Sequence, residues 1–302
     1  MAIKTLFLLS LIAGPGIPRP DPGREAWGPA PPVAPFGFNP LPSDHVVLPM
    51  IFPVIGAVRF KDGYGERRAN LLHTGIDILA PKMSPIVAPI SGVIGFKMNP
   101  CSFWIYGDDG FAVLGTHLND DNPGTKDHAG NRDVAFAPGL RPFRRVERGQ
   151  FIGYVGTSGD ATSPHMHFEI YAPGNGRTQE RLRNPMPSLA AATKISTPIS
   201  YPLFDAKLAP GAVRYEGYPR SFDPATDELT LLLSYCQHSG GVGQAITRTE
   251  WRKFKLSKEQ IAALGGVDSV GRIPQFRAVS IVESAEAIQA IEVDNGIHFG
   301  KQ

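Results

Sequence analysis

The sequence predicts a mainly β protein: an antiparallel sheet core in the middle of the chain, then a small α+β C-terminal region. Two observations carry this. Between Ile51 and Ile170, short runs rich in β-branched and aromatic residues are punctuated by Gly and Pro, and few helices are expected there. Beyond about Pro198 the character shifts, and strand-like runs flank one capped helix.

In chain order, Ile76, Ile78 and Leu79 form an apolar run that enters a buried strand, and 86–88, 92–96, 111–118, 151–155 and 166–171 read as further strands. The last begins after Pro164, which disfavours a helical approach, and contains the strand formers Phe168, Ile170 and Tyr171. In the C-terminal part, 228–235 and 278–282 read as strands. Ser257 and Gln260 have the spacing of a capping box, opening a helix that stops near Gly265 and Gly266.

With 302 residues and 42% hydrophobic composition the chain has room for about two packed domains. The net charge of +2 and the lack of a basic cluster interleaved with aromatics along the sequence argue against nucleic acid as a partner. Residues 1–14 resemble a short signal peptide, with Lys4 ahead of an apolar stretch too short to span a bilayer, so a secreted or periplasmic, cell-envelope location is expected and no integral membrane span. Residues 15–46 are dense in Pro and Gly and read as a linker or arm. The two cysteines, Cys101 and Cys236, are consistent with one bridge or with two free thiols.

Chemistry concentrates in the histidines. His165 and His167 sit two apart on a predicted strand, so both imidazoles project to one side with backbones ~7 Å apart. One can bind a metal while the other handles protons. His73 and Asp77 would be ~13 Å apart on a straight strand, so the chain must bend between them, and Gly75 permits a bend. Two His and one Asp are three protein ligands, the number that leaves a zinc ion an open position for water. His117 closes the apolar run before it.

These residues lie within a larger pattern: Phe52-Pro53-Val54-Ile55-Gly56, Tyr64-Gly65-Glu66-Arg67, His73-Thr74-Gly75-Ile76-Asp77-Ile78, Ile86-Val87-Ala88-Pro89, Ser91-Gly92-Val93-Ile94, His117-Leu118-Asn119, Gly149 to Gly156, Pro164-His165-Met166-His167-Phe168-Glu169 and Asn184-Pro185. In that order they resemble the M23 zinc metallopeptidases, also called LytM or lysostaphin-like, over about Phe52 to Leu189. The resemblance implies an open antiparallel β core with a metal in a groove across it, placed in a domain spanning 47–195. It implies Zn2+ held by His73, Asp77 and His167, with His165 and His117 beside the metal as catalytic groups. It also chooses His167 over His165 as the ligand. Lys82-Met83-Ser84-Pro85 and Thr116 depart from the family pattern without touching a ligand.

The function expected on that basis is hydrolysis of peptide cross-links in bacterial peptidoglycan through a metal-activated water. The alternatives are a noncatalytic wall-binding or hydrolase-activating relative, and a zinc peptidase acting on ordinary proteins. Glu169 shares parity with His167 and can orient its ring. Arg67 and Arg68 are candidates for holding a substrate carboxylate. The polar run from Asp120 to Arg132 reads as a loop that walls the cleft, whereas His45, His128, His238 and His298 fit no spacing template. Residues 196–302 have no assigned role; binding wall polymer, covering the cleft and extending the core are the options.

Overall fold

The computed structural model describes residues 40–294 apart from 70, 205, 206 and 286, all within the compact unit Ala34–Gln302. The segment read as a signal peptide, most of the Pro-rich arm and His298 lie outside the described residues.

The predicted β core is present as a seven-stranded antiparallel sheet. In order across it run Leu182–Arg183, His165–Tyr171, Ala112–Thr116, Cys101–Gly107, Gly92–Met98 and Arg144–Val146, while Ile76–Leu79 also pairs with His165–Tyr171. Alternation along His165–Tyr171 explains its place. Met166, Phe168 and Ile170 are fully buried on one face, while His165 and His167 occupy the other. Ile76 and Ile78 join the buried face from the neighbouring strand. Burying each such side chain contributes roughly 1.5–3 kcal/mol. The strand pair Pro85–Val87 and Phe151–Tyr154 supplies Ile86, Ile152 and Tyr154 to the same core.

Register then places the polar face. Asp77 lies directly opposite His167, and Leu79 opposite His165. On its other side His167 faces Thr116, so the next residue, His117, emerges beside the histidine strand. Cys101–Gly107, a central strand, is missing from the set read from sequence.

The C-terminal residues form a six-stranded antiparallel sheet. Its order is Gln244–Ala245, Glu228–His238, Val213–Asp223, Val279–Ser284 and Ala287–Val293, with Trp251–Lys255 also on Glu228–His238. Its core contains Leu229, Leu231, Leu233, Phe254, Val279 and Ile281. The Ser257–Gln260 capping box opens the helix Lys258–Ala263, which seats Ile261 in this core. Contacts join this sheet to the peptide around Asp133: Arg220 Nη2 lies 2.7 Å from Asp133 Oδ1, and Thr249 donates to the Asp133 carbonyl at 3.4 Å. Both cysteines are free thiols, Cys101 buried and Cys236 half-buried.

Candidate active site

Three side chains converge on one point. His73 Nε2 is 3.0 Å from Asp77 Oδ1 and 3.0 Å from His167 Nδ1, and His167 Nδ1 is 3.1 Å from Asp77 Oδ1. His73 stands just after the short strand Leu71–Leu72, and the chain bends before Asp77 enters Ile76–Leu79, as the spacing required. Gly75 acts through space at this bend. A Cβ there would lie 2.2 Å from the Phe168 carbonyl oxygen and 2.9 Å from His167 Nε2, so only glycine lets the two segments approach.

The protons on these rings are accounted for elsewhere. His73 donates Nδ1–H to the Gly63 carbonyl at 2.9 Å, and His167 directs Nε2 to Glu169 Oε1 at 3.1 Å. Each ring therefore turns a lone pair toward Asp77. Two such lone pairs and a carboxylate oxygen repel one another unless a cation lies between them. Edges of 3.0–3.1 Å are close to the ligand separations of about 3.3 Å that tetrahedral zinc with N and O bonds of ~2.05 Å requires. The donor set fits a divalent metal. Without one, a proton takes the place: burial disfavours charge on His167, but its hydrogen bonds to Asp77 and Glu169 push it up to about 9. Burial likewise resists charge on Asp77, yet the bonds to His167 and His73 hold its carboxyl well below the usual range.

Two more imidazoles flank the triangle. His165 directs Nδ1 to the Ser163 carbonyl at 2.8 Å, with its Nε2 3.7 Å from Asp77 Oδ1. His117 directs Nδ1 to the Ser158 carbonyl at 2.8 Å, and its ring centroid is 4.7 Å from that of His165. Both rings thus keep Nε2 free to accept a proton. Burial holds His117 below the ordinary imidazole pKa, so it is neutral near pH 7. His117 also has φ +64°, a left-handed backbone that is uncommon for a non-glycine residue and that clusters at functional sites.

Glu169 is the anchor behind His167. Its Oε1 accepts from the Thr74 hydroxyl as well as from His167, while its Oε2 accepts from the Tyr171 hydroxyl and, at 2.9 Å, from Arg177 Nη2. Arg177 Nε reaches the Tyr171 oxygen at 2.8 Å. Burial works against the charge, but Arg177, His167 and Thr74 together keep the Glu169 carboxyl well below its usual range.

Residues 71–181 match peptidase family M23, and this span contains every side chain of the cluster. Over 192 residues the chain is 34% identical to the DD-carboxypeptidase/endopeptidase Mpg of Neisseria meningitidis serogroup B, covering 61% of this chain and 37% of that protein. The same values hold for the Neisseria gonorrhoeae protein of that name, so the chain spans well under half the length of these relatives. Among solved structures, the catalytic domain of lysostaphin from Staphylococcus simulans aligns at 22% identity and a TM-score of 0.35, covering 44% of this chain and 92% of that one.

Around the centre of His73, Asp77 and His167, the structure refines three readings. Arg68 turns inward: its Nη2 is 3.2 Å from Asp77 Oδ2 and 3.6 Å from Glu66 Oε2. The loop after His117 is tied down by Asp121, whose carboxylate takes Lys82 and, at 2.7 Å, the His128 amide. His128, which fits no spacing template, completes this clamp by pairing with Asp120 at 3.0 Å, whereas His45 and His238 are exposed. Three residues that support this centre are not singled out by the sequence. Tyr171 shares strand parity with Glu169 and was open to inference, and Thr74 adjoins His73. Arg177 arrives from an irregular loop and leaves no periodic signal.

Proposed function

We propose that this protein is a zinc endopeptidase that cleaves peptide cross-links of bacterial peptidoglycan outside the cytoplasm, with 47–195 as the hydrolase and 196–302 as an accessory region. The observation that carries the reading is the triangle of His73 Nε2, Asp77 Oδ1 and His167 Nδ1 with two further imidazoles at its edge. The M23 match and the likeness to the Mpg relatives support this reading. Bound zinc supplies Lewis acidity toward a peptide carbonyl and toward water.

The remaining steps belong to the chain. His165, with Nδ1–H fixed on a carbonyl, accepts the proton of the attacking water at Nε2 and returns it to the leaving amine. His117, whose ring lies 4.7 Å from that of His165 between centroids, assists that transfer or stabilises negative charge on the carbonyl oxygen once protonated. Glu169 keeps His167 in the tautomer that presents Nδ1. Retention of the full donor set favours the enzyme over a noncatalytic relative.

The test is zinc content together with release of soluble fragments from purified peptidoglycan, for wild type, His167→Ala and His165→Ala. Stoichiometric zinc in wild type, cleavage lost in both variants and zinc weakened mainly in His167→Ala are expected. A zinc-free wild type overturns the mechanism. Cleavage of casein with peptidoglycan left intact overturns the substrate, and a stem peptide with a free carboxyl end separates carboxypeptidase from endopeptidase action.

A further inference from the structure

The fold assembles a basic, aromatic surface from segments far apart in sequence. Arg141 stacks its guanidinium 4.0 Å from the ring centre of Phe276, and Arg220 lies 5.6 Å from that of Trp251. Arg220 also donates to the Gln275 carbonyl at 3.5 Å, linking the Trp251 strand to the Phe276 loop. The rings stay open to solvent: Phe276 is 47% exposed and Trp251 49%. Phe143, between Arg141 and Arg144, is 47% exposed as well.

Charge on this surface is unbalanced. Asp133 takes Arg220 at 2.7 Å and Arg132 at 3.7 Å. No carboxylate among the described residues pairs with Arg141 or Arg144. Burial first, and then repulsion from the neighbouring Arg144, hold Arg141 below its ordinary pKa. Such repulsion weakens the folded state unless an anion offsets it. Guanidiniums beside exposed aromatic faces suit a polymer that alternates carboxylates with the apolar faces of sugar rings. The small overall net charge conceals this surface, because its members come from four separate stretches of chain.

We propose that Arg141, Arg144, Phe276 and Trp251 form a binding surface for an anionic stretch of peptidoglycan distant from the bond that is cut. The proposal rests on peptidoglycan being the substrate. It gives the C-terminal region a role, since Trp251 begins a strand of its sheet and Phe276 lies on the loop before Val279–Ser284. The surface is joined to the catalytic side through the helix Arg132–Ala135, which follows the loop that leaves His117.

The test uses the zinc-loaded full chain and two substrates: insoluble purified peptidoglycan, and a small soluble cross-linked peptide dimer. Co-sedimentation with the insoluble polymer in the cold is expected to weaken about tenfold in Arg141→Gln/Arg144→Gln, as for loss of charges at the rim of an interface. Cleavage of the dimer by that variant stays at the wild-type rate, which also shows that it folds. Arg141→Lys/Arg144→Lys retains most of the binding. Unchanged sedimentation of the glutamine variant, with the dimer still cut, overturns the surface and leaves the enzymatic reading standing. Wild type that cuts no dimer removes the enzymatic reading instead, and the proposal with it. Equal binding of wild type to poly(glycerol phosphate) shows a general anion site and overturns peptidoglycan as the specific partner.

Discussion

His167 is held from behind by Glu169: Nε2 lies 3.1 Å from Oε1, and the two residues are two positions apart on one strand. This contact turns Nδ1 toward His73 and Asp77. Glu169→Gln keeps the shape but removes the charge that fixes the tautomer. Metal affinity is expected to fall about 10–100-fold, as for other partners that orient a ligand histidine. Competition with a chromophoric chelator measures it; an unchanged affinity removes Glu169 from the metal's support.

His117 and His165 make the second prediction, since neither belongs to the triangle of His73, Asp77 and His167 that could hold a metal. His165→Ala is expected to lower kcat about 10²–10⁴-fold, the usual range for loss of a general acid or base. His117→Asn is the better variant at the other site, because asparagine tolerates the left-handed backbone at φ +64°. Zinc content should stay at the wild-type level in both. Loss of zinc in parallel with rate would make them ligands rather than proton carriers.

The loop clamp supplies a pH prediction. The hydrogen bond from His128 to Asp120, and then the Asp120 charge, raise the His128 pKa above its ordinary value. A raised folded-state pKa means the pair's contribution is complete below about 6.5 and fades as pH rises through the folded value. An NMR titration of the His128 ring should therefore have a midpoint above 6.5 that drops in Asp120→Asn. Amide exchange across 120–131 should quicken as the ring loses its proton. A His128 midpoint identical in wild type and variant would falsify the clamp.

Local periodicity made much of the site legible. His165, His167 and Glu169 share one strand face because side chains alternate, and Met166 and Phe168 fill the other. The pairing of Asp77 with His167 is a matter of register between strands 90 residues apart, which no local pattern encodes. Arg177 was hidden for a similar reason. In the C-terminal sheet, Val213–Asp223 escaped notice because Gly217 and Pro219 interrupt it, and the structure absorbs both at register shifts against Glu228–His238. The Arg141 and Phe276 pair joins residues whose proximity exists only after folding.

Gly75 offers the sharpest test of how backbone packing aligns the His73, Asp77 and His167 donors. Its missing side chain leaves room for the Phe168 carbonyl, which a Cβ would approach to 2.2 Å. Gly75→Ala must push Ile76–Leu79 away from His165–Tyr171, and that pairing is what aligns Asp77 with His167. Overpacking of this kind costs about 1–3 kcal/mol, and contact with backbone puts this site at the upper end. Urea unfolding should show the loss, and chelator competition should show weaker metal binding even where the variant is folded. A bend that needed only backbone freedom would lose stability alone, because alanine would leave the strand register and the donor triangle intact.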